Sequence, residues 1–219
     1  MNFNLPDETK MIQDTVRRFV DNELIPLEQE FPDRANSADL PDDIQGPLIK
    51  KVEQLGLAAM DAPEEIGGAG LGLLDSCIVT EQVHRSTVGR GVFAMRFAPV
   101  LHELGTDEQK QKYVPQLASG EWFGAYCLTE PGAGSDANSG KTTASLTEDG
   151  KHFKINGQKM WISNAGFCKL FIVFARIEND KNITGFIVEN DTKNGITLGE
   201  EEHKLGIRAS STRQVFFND

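Results

Sequence analysis

Tyr126-Cys127-Leu128-Thr129-Glu130-Pro131-Gly132-Ala133-Gly134-Ser135-Asp136 is the stretch around which the chain is organised. A strand-like apolar run stops at a Pro-Gly turn and opens into small residues and a carboxylate. Small residues leave the backbone uncovered, so N–H groups can point at a bound anion. A bare Gly-Ala-Gly-Ser reads equally well as a surface turn between strands. The sequence on either side decides between the two.

Upstream, the apolar spacing is helical. Met11, Ile12, Val16, Phe19, Val20 and Leu24 recur every three or four residues after Leu5-Pro6-Asp7, and Pro26 is expected to end that helix. Phe31 to Pro41 reads as loop. Ile44, Leu48, Val52 and Leu55 mark a second helical face closed by Gly56. Residues 61–72 hold too many glycines, with Pro63, to form a regular element. Further helices are expected from about Leu74 to Arg85 and from about Val92 to Leu104. Thr106-Asp107-Glu108-Gln109 is a capping box opening a fifth helix through Tyr113, Val114 and Leu117 to Ser119-Gly120.

From Glu121 onward the period shortens, and β-branched and aromatic residues accumulate. Candidate strands are Trp122–Leu128, Thr142–Leu146, His152–Asn156, Lys159–Ile162, Leu170–Arg176, Thr184–Glu189, Ile196–Leu198 and Gln214–Phe217. Glu148-Asp149-Gly150 is a hairpin signal, and Asn156-Gly157 reads as a second turn. No helical segment separates these strands, which argues against βαβ units and for an antiparallel barrel or sandwich. The expected architecture is α+β and multi-domain. An all-α helical domain occupies residues 1–120, and an antiparallel β-barrel or sandwich domain occupies residues 121–219.

Composition narrows the function classes. Of the 219 residues, 39% are hydrophobic and 25% charged, ordinary values for a globular chain. The net charge of −11 argues against nucleic-acid binding, which needs a basic face. Most of the acid lies upstream. Residues 1–120 carry 11 Lys+Arg and 20 Asp+Glu, against 11 and 13 in residues 121–219, so phosphates would bind in the second half through backbone N–H groups. Cys77, Cys127 and Cys168 form no Cys-x-x-Cys pair, and His84, His102, His152 and His203 are isolated, so no metal site is expected. No apolar run reaches the ~18 residues of a membrane span. The N-terminus lacks the pattern of a signal peptide, and a cytoplasmic, bacterial-type protein is expected.

Two phosphate motifs come close to the glycine stretch. Gly132-x-Gly134-x-x-Ala137 fits the dinucleotide-binding pattern on paper, but that motif must open a helix, and Asn138 to Thr143 has no helical face. Gly140-Lys141-Thr142 resembles the end of a P-loop, with Gly134 one residue too far upstream and a strand where the helix should be. Neither motif applies.

Leu128 to Asp136 resembles the first signature of the acyl-CoA dehydrogenases. Gly157-Gln158-Lys159-Met160-Trp161-Ile162-Ser163-Asn164 is similar to that family's second landmark, on a strand facing the flavin. Pro63 to Gly72 resembles its N-terminal glycine loop, Leu104 to Tyr113 its last N-domain helix, and Lys204 to Thr212 a late β-domain motif. The landmarks follow family order over nearly the whole chain.

The resemblance implies an FAD-dependent oxidoreductase that converts an acyl-CoA thioester to the trans-2-enoyl-CoA. A carboxylate removes the α-proton, hydride passes to the flavin, and an electron-transfer flavoprotein reoxidises it. It further implies that Tyr126, Cys127, Leu128, Thr129 and Glu130 form the strand behind the flavin, with the Thr129 hydroxyl on the pyrimidine side of the ring. Gly134 and Ser135 would offer N–H groups to the pyrophosphate, with Ser135 also near the CoA. Trp161 and Ile162 would back the ring, and Ser163 would lie near its reactive nitrogen. Glu130 is expected to accept hydrogen bonds in the turn rather than act as the base, and Asp136 to cap the turn's own N–H groups. Phe93, Met95 and Phe97 could line an acyl channel or pack a core.

Members of the family carry a further C-terminal helical domain that supplies the catalytic glutamate and much of a homodimer or homotetramer interface. The chain ends at Phe216-Phe217-Asn218-Asp219, directly after a strand, so a fragment with no catalytic residue of its own and weak FAD retention is expected. Alternatives are an acyl-CoA oxidase or nitroalkane oxidase-like flavoenzyme, or a non-catalytic module that binds flavin or acyl-CoA.

Overall fold

The computed structural model describes residues 4–30, 42–93, 97–178, 180–191 and 195–218. The chain divides into two compact units, Met1–Trp122 with Leu205–Ser210 and Phe123–Lys204 with Ser211–Asp219. The division falls after Trp122, and the short segment 205–210 groups with the helices rather than with the sheet that surrounds it in sequence.

The helical unit begins with α1 (Asp7–Phe19), which carries Asp7 and Glu8 in its first turn and Arg17 and Arg18 in its last, complementing the helix dipole. Pro26 does not stop it. A π-helical turn, Val20–Leu24, follows, in which Ile25 N–H reaches back to Val20 O, and α2 (Ile25–Glu30) continues. The widened turn resets the hydrogen-bond ladder, so Pro26 falls in the first turn of α2, where no N–H is required. Val16, Val20 and Leu24 are fully buried and form one core with Leu48 and Val52 of α3 (Asp42–Gln54) and Val79 and Val83 of α4 (Leu73–Val83). Burying each such side chain is worth about 1.5–3 kcal/mol. Thr9 Oγ1 donates to Asp75 at 2.6 Å, fixing α1 against the start of α4.

Residues 61–72 are irregular apart from one 3-10 turn at Glu64–Ile66. A Cβ on Gly68 would lie 2.0 Å from Ala62 O, so this loop closes on its own backbone. The helix expected from Val92 to Leu104 is two pieces, α5 (Gly89–Val92) and α6 (Ala98–Leu104), with Phe97 at φ 60° before the second. Pro99 in the first turn of α6 explains a new start there. Phe93 packs edge-on against Phe19 at 6.1 Å, and Phe97 is buried. Met95 and the loop expected at 31–41 lie outside the described residues. The α7 helix (Asp107–Ser119) opens with the expected capping box. Thr106 Oγ1 accepts from Gln109 N at 3.3 Å, and Gln109 Oε1 accepts from Thr106 N at 2.9 Å.

The β unit has seven strands: β1 (Gly124–Cys127), β2 (Thr143–Leu146), β3 (Phe153–Ser163), β4 (Leu170–Ile177), β5 (Ile183–Glu189), β6 (Ile196–Glu201) and β7 (Thr212–Asn218). They form one sheet in the order β1-β4-β2-β3-β7-β6, with β5 on the other edge of β4. Most pairings are antiparallel, but the sheet is mixed and, among the described residues, not closed into a barrel. β1 runs parallel to β4 through Gly124↔Leu170 to Cys127↔Val173, and β2 is also parallel to β4 at Thr143↔Arg176 and Ala144↔Ile177.

β1 and β2 therefore lie end to end in a single lane beside β4 and run in the same direction. Parallel pairing normally needs a long crossover between the paired strands. Here the route from β2 to β4 passes through β3, which flanks the lane on its other side. Residues 128–142 form an excursion that leaves the lane and re-enters it. The turn expected at Asn156-Gly157 is absent, and β3 runs straight through it. Gly157 serves a close approach instead, since a Cβ there would lie 2.4 Å from Thr142 Oγ1.

Candidate functional site

The excursion has a locked base and an open tip. At the base, the Glu130 carboxylate accepts from Lys141 N at 2.6 Å, Thr142 N at 3.0 Å and Lys159 Nζ at 2.8 Å. Burial pushes the Glu130 carboxyl up, but the Lys159 ammonium and the hydrogen bonds from Thr142 and Lys141 outweigh it and hold the group below its ordinary value. A carboxylate held ionised by three donors is a poor proton acceptor, in line with the role expected of it. A β-bridge between Glu130 and Ala133 then turns the chain.

Pro131 to Ser135 form the tip. Gly134 and Ser135 are exposed, and their amides make no hydrogen bond among the described residues. A Cβ on Gly132 or Gly134 would meet nothing within 4 Å, and neither glycine has a left-handed φ. The fold therefore gives no reason for glycine at either position, whereas a ligand that must approach the backbone does. The Asp136 carboxylate makes no capping bond. Its backbone carbonyl accepts instead, from Ser139 N at 3.1 Å and Ser139 Oγ at 2.7 Å, starting a 3-10 turn at Ala137–Ser139.

The two sequence motifs meet at the foot of the excursion, where Met160 N donates to Thr129 O at 2.9 Å. Just beyond, β3 carries a bulge: its register with β7 shifts between Lys159 and Ile162. Trp161 sits in that bulge at φ 57° and is 61% exposed. A left-handed backbone is unfavourable for a bulky residue, and a large exposed indole forgoes burial, so two costs are borne at one position. Bulges of this kind re-aim side chains next to sites.

The other expected site residues fall into two groups. Cys127 and Ile162 are buried in the sheet's core with Ala125, Phe171 and Val215, so only their backbones can reach a ligand. Burial, with Cys168 nearby, pushes the Cys127 thiol well up, as suits a small apolar filler. Tyr126 is 41% exposed, with its ring 4.9 Å from that of Phe174. Leu128, Thr129 and Ser163 are half-buried.

Two positioning residues escape the sequence reading. Asn164, left-handed at φ 67°, donates Nδ2 to Gly124 O at 2.9 Å and its N–H to Ser211 O at 3.0 Å, tying the end of β3 to β1 and to the start of β7. Lys159 is 1% exposed. The available signal is a lysine inside the β-rich run Lys159–Ile162, with a glutamate at a break in another strand. Among the described residues no group of His, Cys, Asp and Glu could hold a metal ion, and no helix is long and apolar enough to cross a membrane.

The sequence matches the family description "Acyl-CoA dehydrogenase, N-terminal domain" over residues 6–121 and "Acyl-CoA dehydrogenase, middle domain" over residues 125–219. It is 39% identical over 220 residues to a probable acyl-CoA dehydrogenase of Bacillus subtilis, covering 97% of this chain and 35% of that protein. It is 38% identical over 228 residues to the short-chain specific acyl-CoA dehydrogenase of Clostridium acetobutylicum, covering 100% of this chain and 57% of that one. Among solved structures, the Bacillus anthracis acyl-CoA dehydrogenase complexed with FAD superposes with a TM-score of 0.83 at 39% identity, over 99% of this chain and 36% of that one. Butyryl-CoA dehydrogenase from Megasphaera elsdenii gives 0.82 at 30% identity, over 100% and 57%. The chain thus spans a third to little more than half the length of these relatives. It belongs to the acyl-CoA dehydrogenase family, of which it carries the N-terminal and middle domains.

Proposed function

We propose that this chain forms the flavin- and thioester-holding part of an FAD-dependent acyl-CoA dehydrogenase. The observation that carries this reading is Trp161, an exposed indole in a left-handed bulge, next in sequence to Met160, whose N–H is bonded to Thr129 O. A flat apolar ring laid on that indole would recover the burial the chain forgoes. Gly134 and Ser135 fit a pyrophosphate, because their amides are free of the chain's own hydrogen bonds and no side chain shields them. They need no basic cluster, which agrees with the acidic composition.

When bound, FAD supplies the hydride acceptor for α,β-dehydrogenation of an acyl-CoA thioester. This chain's residues bind and orient. The Thr129 hydroxyl would donate to the pyrimidine side of the ring, and the Ser163 hydroxyl would serve its reactive nitrogen. Tyr126, Cys127, Leu128 and Ile162 hold the strands that carry them, and Ser135 also meets the CoA moiety. We assign the proton-abstracting base to no residue of this chain, since Glu130 is fully engaged. An electron-transfer flavoprotein is the natural electron acceptor in this scheme.

The test is an FAD titration of the 219-residue chain followed by flavin and tryptophan fluorescence. Saturable binding is expected, with mutual quenching that disappears in Trp161→Leu. No saturable binding, or quenching unaltered by Trp161→Leu, would overturn the reading.

A further inference from the structure

The lane shared by β1 and β2 has a gap. β1 pairs with β4 as far as Val173, and β2 takes over at Arg176, so Phe174 and Ala175 face the space the excursion has left. An uninterrupted strand would fill that space with backbone amides. Lys159 fills it from β3 on the far side. Its ammonium donates to Phe174 O at 2.6 Å, Leu128 O at 3.2 Å and Glu130 Oε1 at 2.8 Å, which uses all three of its hydrogens.

Leu128 and Glu130 mark where the chain leaves the lane. Lys141 and Thr142, both held by the Glu130 carboxylate, mark where it returns. Exit and re-entry are thus tied to one ammonium–carboxylate pair whose side chains are 2% and 7% exposed. The backbone makes room for it. A Cβ on Gly140 would lie 3.0 Å from Glu130 Oε1. Burying two charges carries a desolvation cost that a well-packed apolar pair would avoid. What an apolar pair cannot do is give direction to one carbonyl and two amides of the loop and one carbonyl of β4 at once.

We propose that Lys159 is a positioning residue which, through Glu130, sets the mouth of the 128–142 excursion and so the direction in which the Gly134 and Ser135 amides point. The proposal rests on the flavin reading above for its ligand, but not for its geometry. A purely structural lysine would loosen the sheet as a whole when removed. A positioning lysine loosens the excursion and leaves the distant ladder alone.

The experiment is amide hydrogen exchange on the 219-residue chain, together with FAD titration, in wild type, Lys159→Met and Glu130→Gln. Exchange at Ala133, Lys141 and Thr142 is expected to accelerate more than tenfold in both variants. The β4–β5 ladder around Val173 and Phe186 should stay within about threefold, on the view that local openings are cooperative units. The FAD dissociation constant should rise at least tenfold.

Equal acceleration in the excursion and in β4–β5, or unchanged exchange throughout, overturns the proposal, as does FAD affinity within twofold of wild type in a folded Lys159→Met chain. Should Lys159→Met not fold, Glu130→Gln keeps the same readouts. If the wild-type chain binds no FAD, the flavin reading fails, and the exchange pattern alone decides the clamp: confined loosening supports it and any other pattern sinks it.

Discussion

The base and the tip of the excursion use glycine for opposite reasons. At the base, Gly157 has no room for a side chain because Thr142 presses against it, and Gly140 has little, with a Cβ 3.0 Å from Glu130 Oε1. At the tip, Gly132 and Gly134 have nothing near them and no unusual φ. The base is over-determined by the chain's own contacts, whereas the two tip glycines are not constrained by any. At the tip that freedom lets a ligand approach the backbone, which the proposed flavin site requires.

The largest effect that can break this comparison lies at the base. Lys159→Met leaves the Glu130 carboxylate buried without its ammonium and is expected to cost about 3–5 kcal/mol in urea unfolding. The double variant Glu130→Gln/Lys159→Met, with no buried charge, should be less destabilised than the sum of the singles. Additive losses would show that the pair is not one unit.

Gly157→Ala comes next. A methyl 2.4 Å from Thr142 Oγ1 on a backbone at φ 155° forces β2 and β3 apart, with an expected loss of about 2–3 kcal/mol. A loss under about 0.5 kcal/mol would mean the two strands can separate freely there.

A smaller effect appears in acid. Glu130 is held below its ordinary value of 4.5 in the folded chain. Its contribution is complete above the unfolded-state value and is lost as pH falls through the lower folded value. Wild type should therefore lose more stability than Glu130→Gln between about pH 5 and pH 3. Parallel curves would remove Glu130 from the acid response.

The smallest stability effect is at the tip. Gly134→Ala is expected to change unfolding free energy by less than about 0.5 kcal/mol while weakening FAD binding. A stability loss as large as that at Gly157 would erase the contrast between the two regions.

What the sequence made legible follows the locality of the physics. The capping box at Thr106 and Gln109, the Asp149-Gly150 hairpin and the helix-to-sheet change near residue 121 are each written within a few residues. Pro26 misled because its effect depends on the π turn before it, which no local pattern announces. Asn156-Gly157 misled because its glycine answers to Thr142, a neighbour only after β2 and β3 have paired. The antiparallel expectation was mostly right, but no spacing rule reveals that β1 and β2 share a lane. Of the site, the glycine tip and the Trp161 strand were readable as motifs. The positioning roles of Lys159 and Asn164 were not, because their partners, the Glu130 carboxylate and the carbonyls of Leu128, Phe174 and Gly124, are distant in sequence and meet them only once the sheet has formed.

The shared lane also separates sheet register from excursion length. Val173 and Arg176 fix where β1 ends and β2 begins, whatever number of residues lies between Leu128 and Thr142. For protein engineering, the excursion is a cassette: its tip can be lengthened, shortened or exchanged while the strands on both sides keep their partners, provided Glu130, Gly140 and Lys159 stay at the seam.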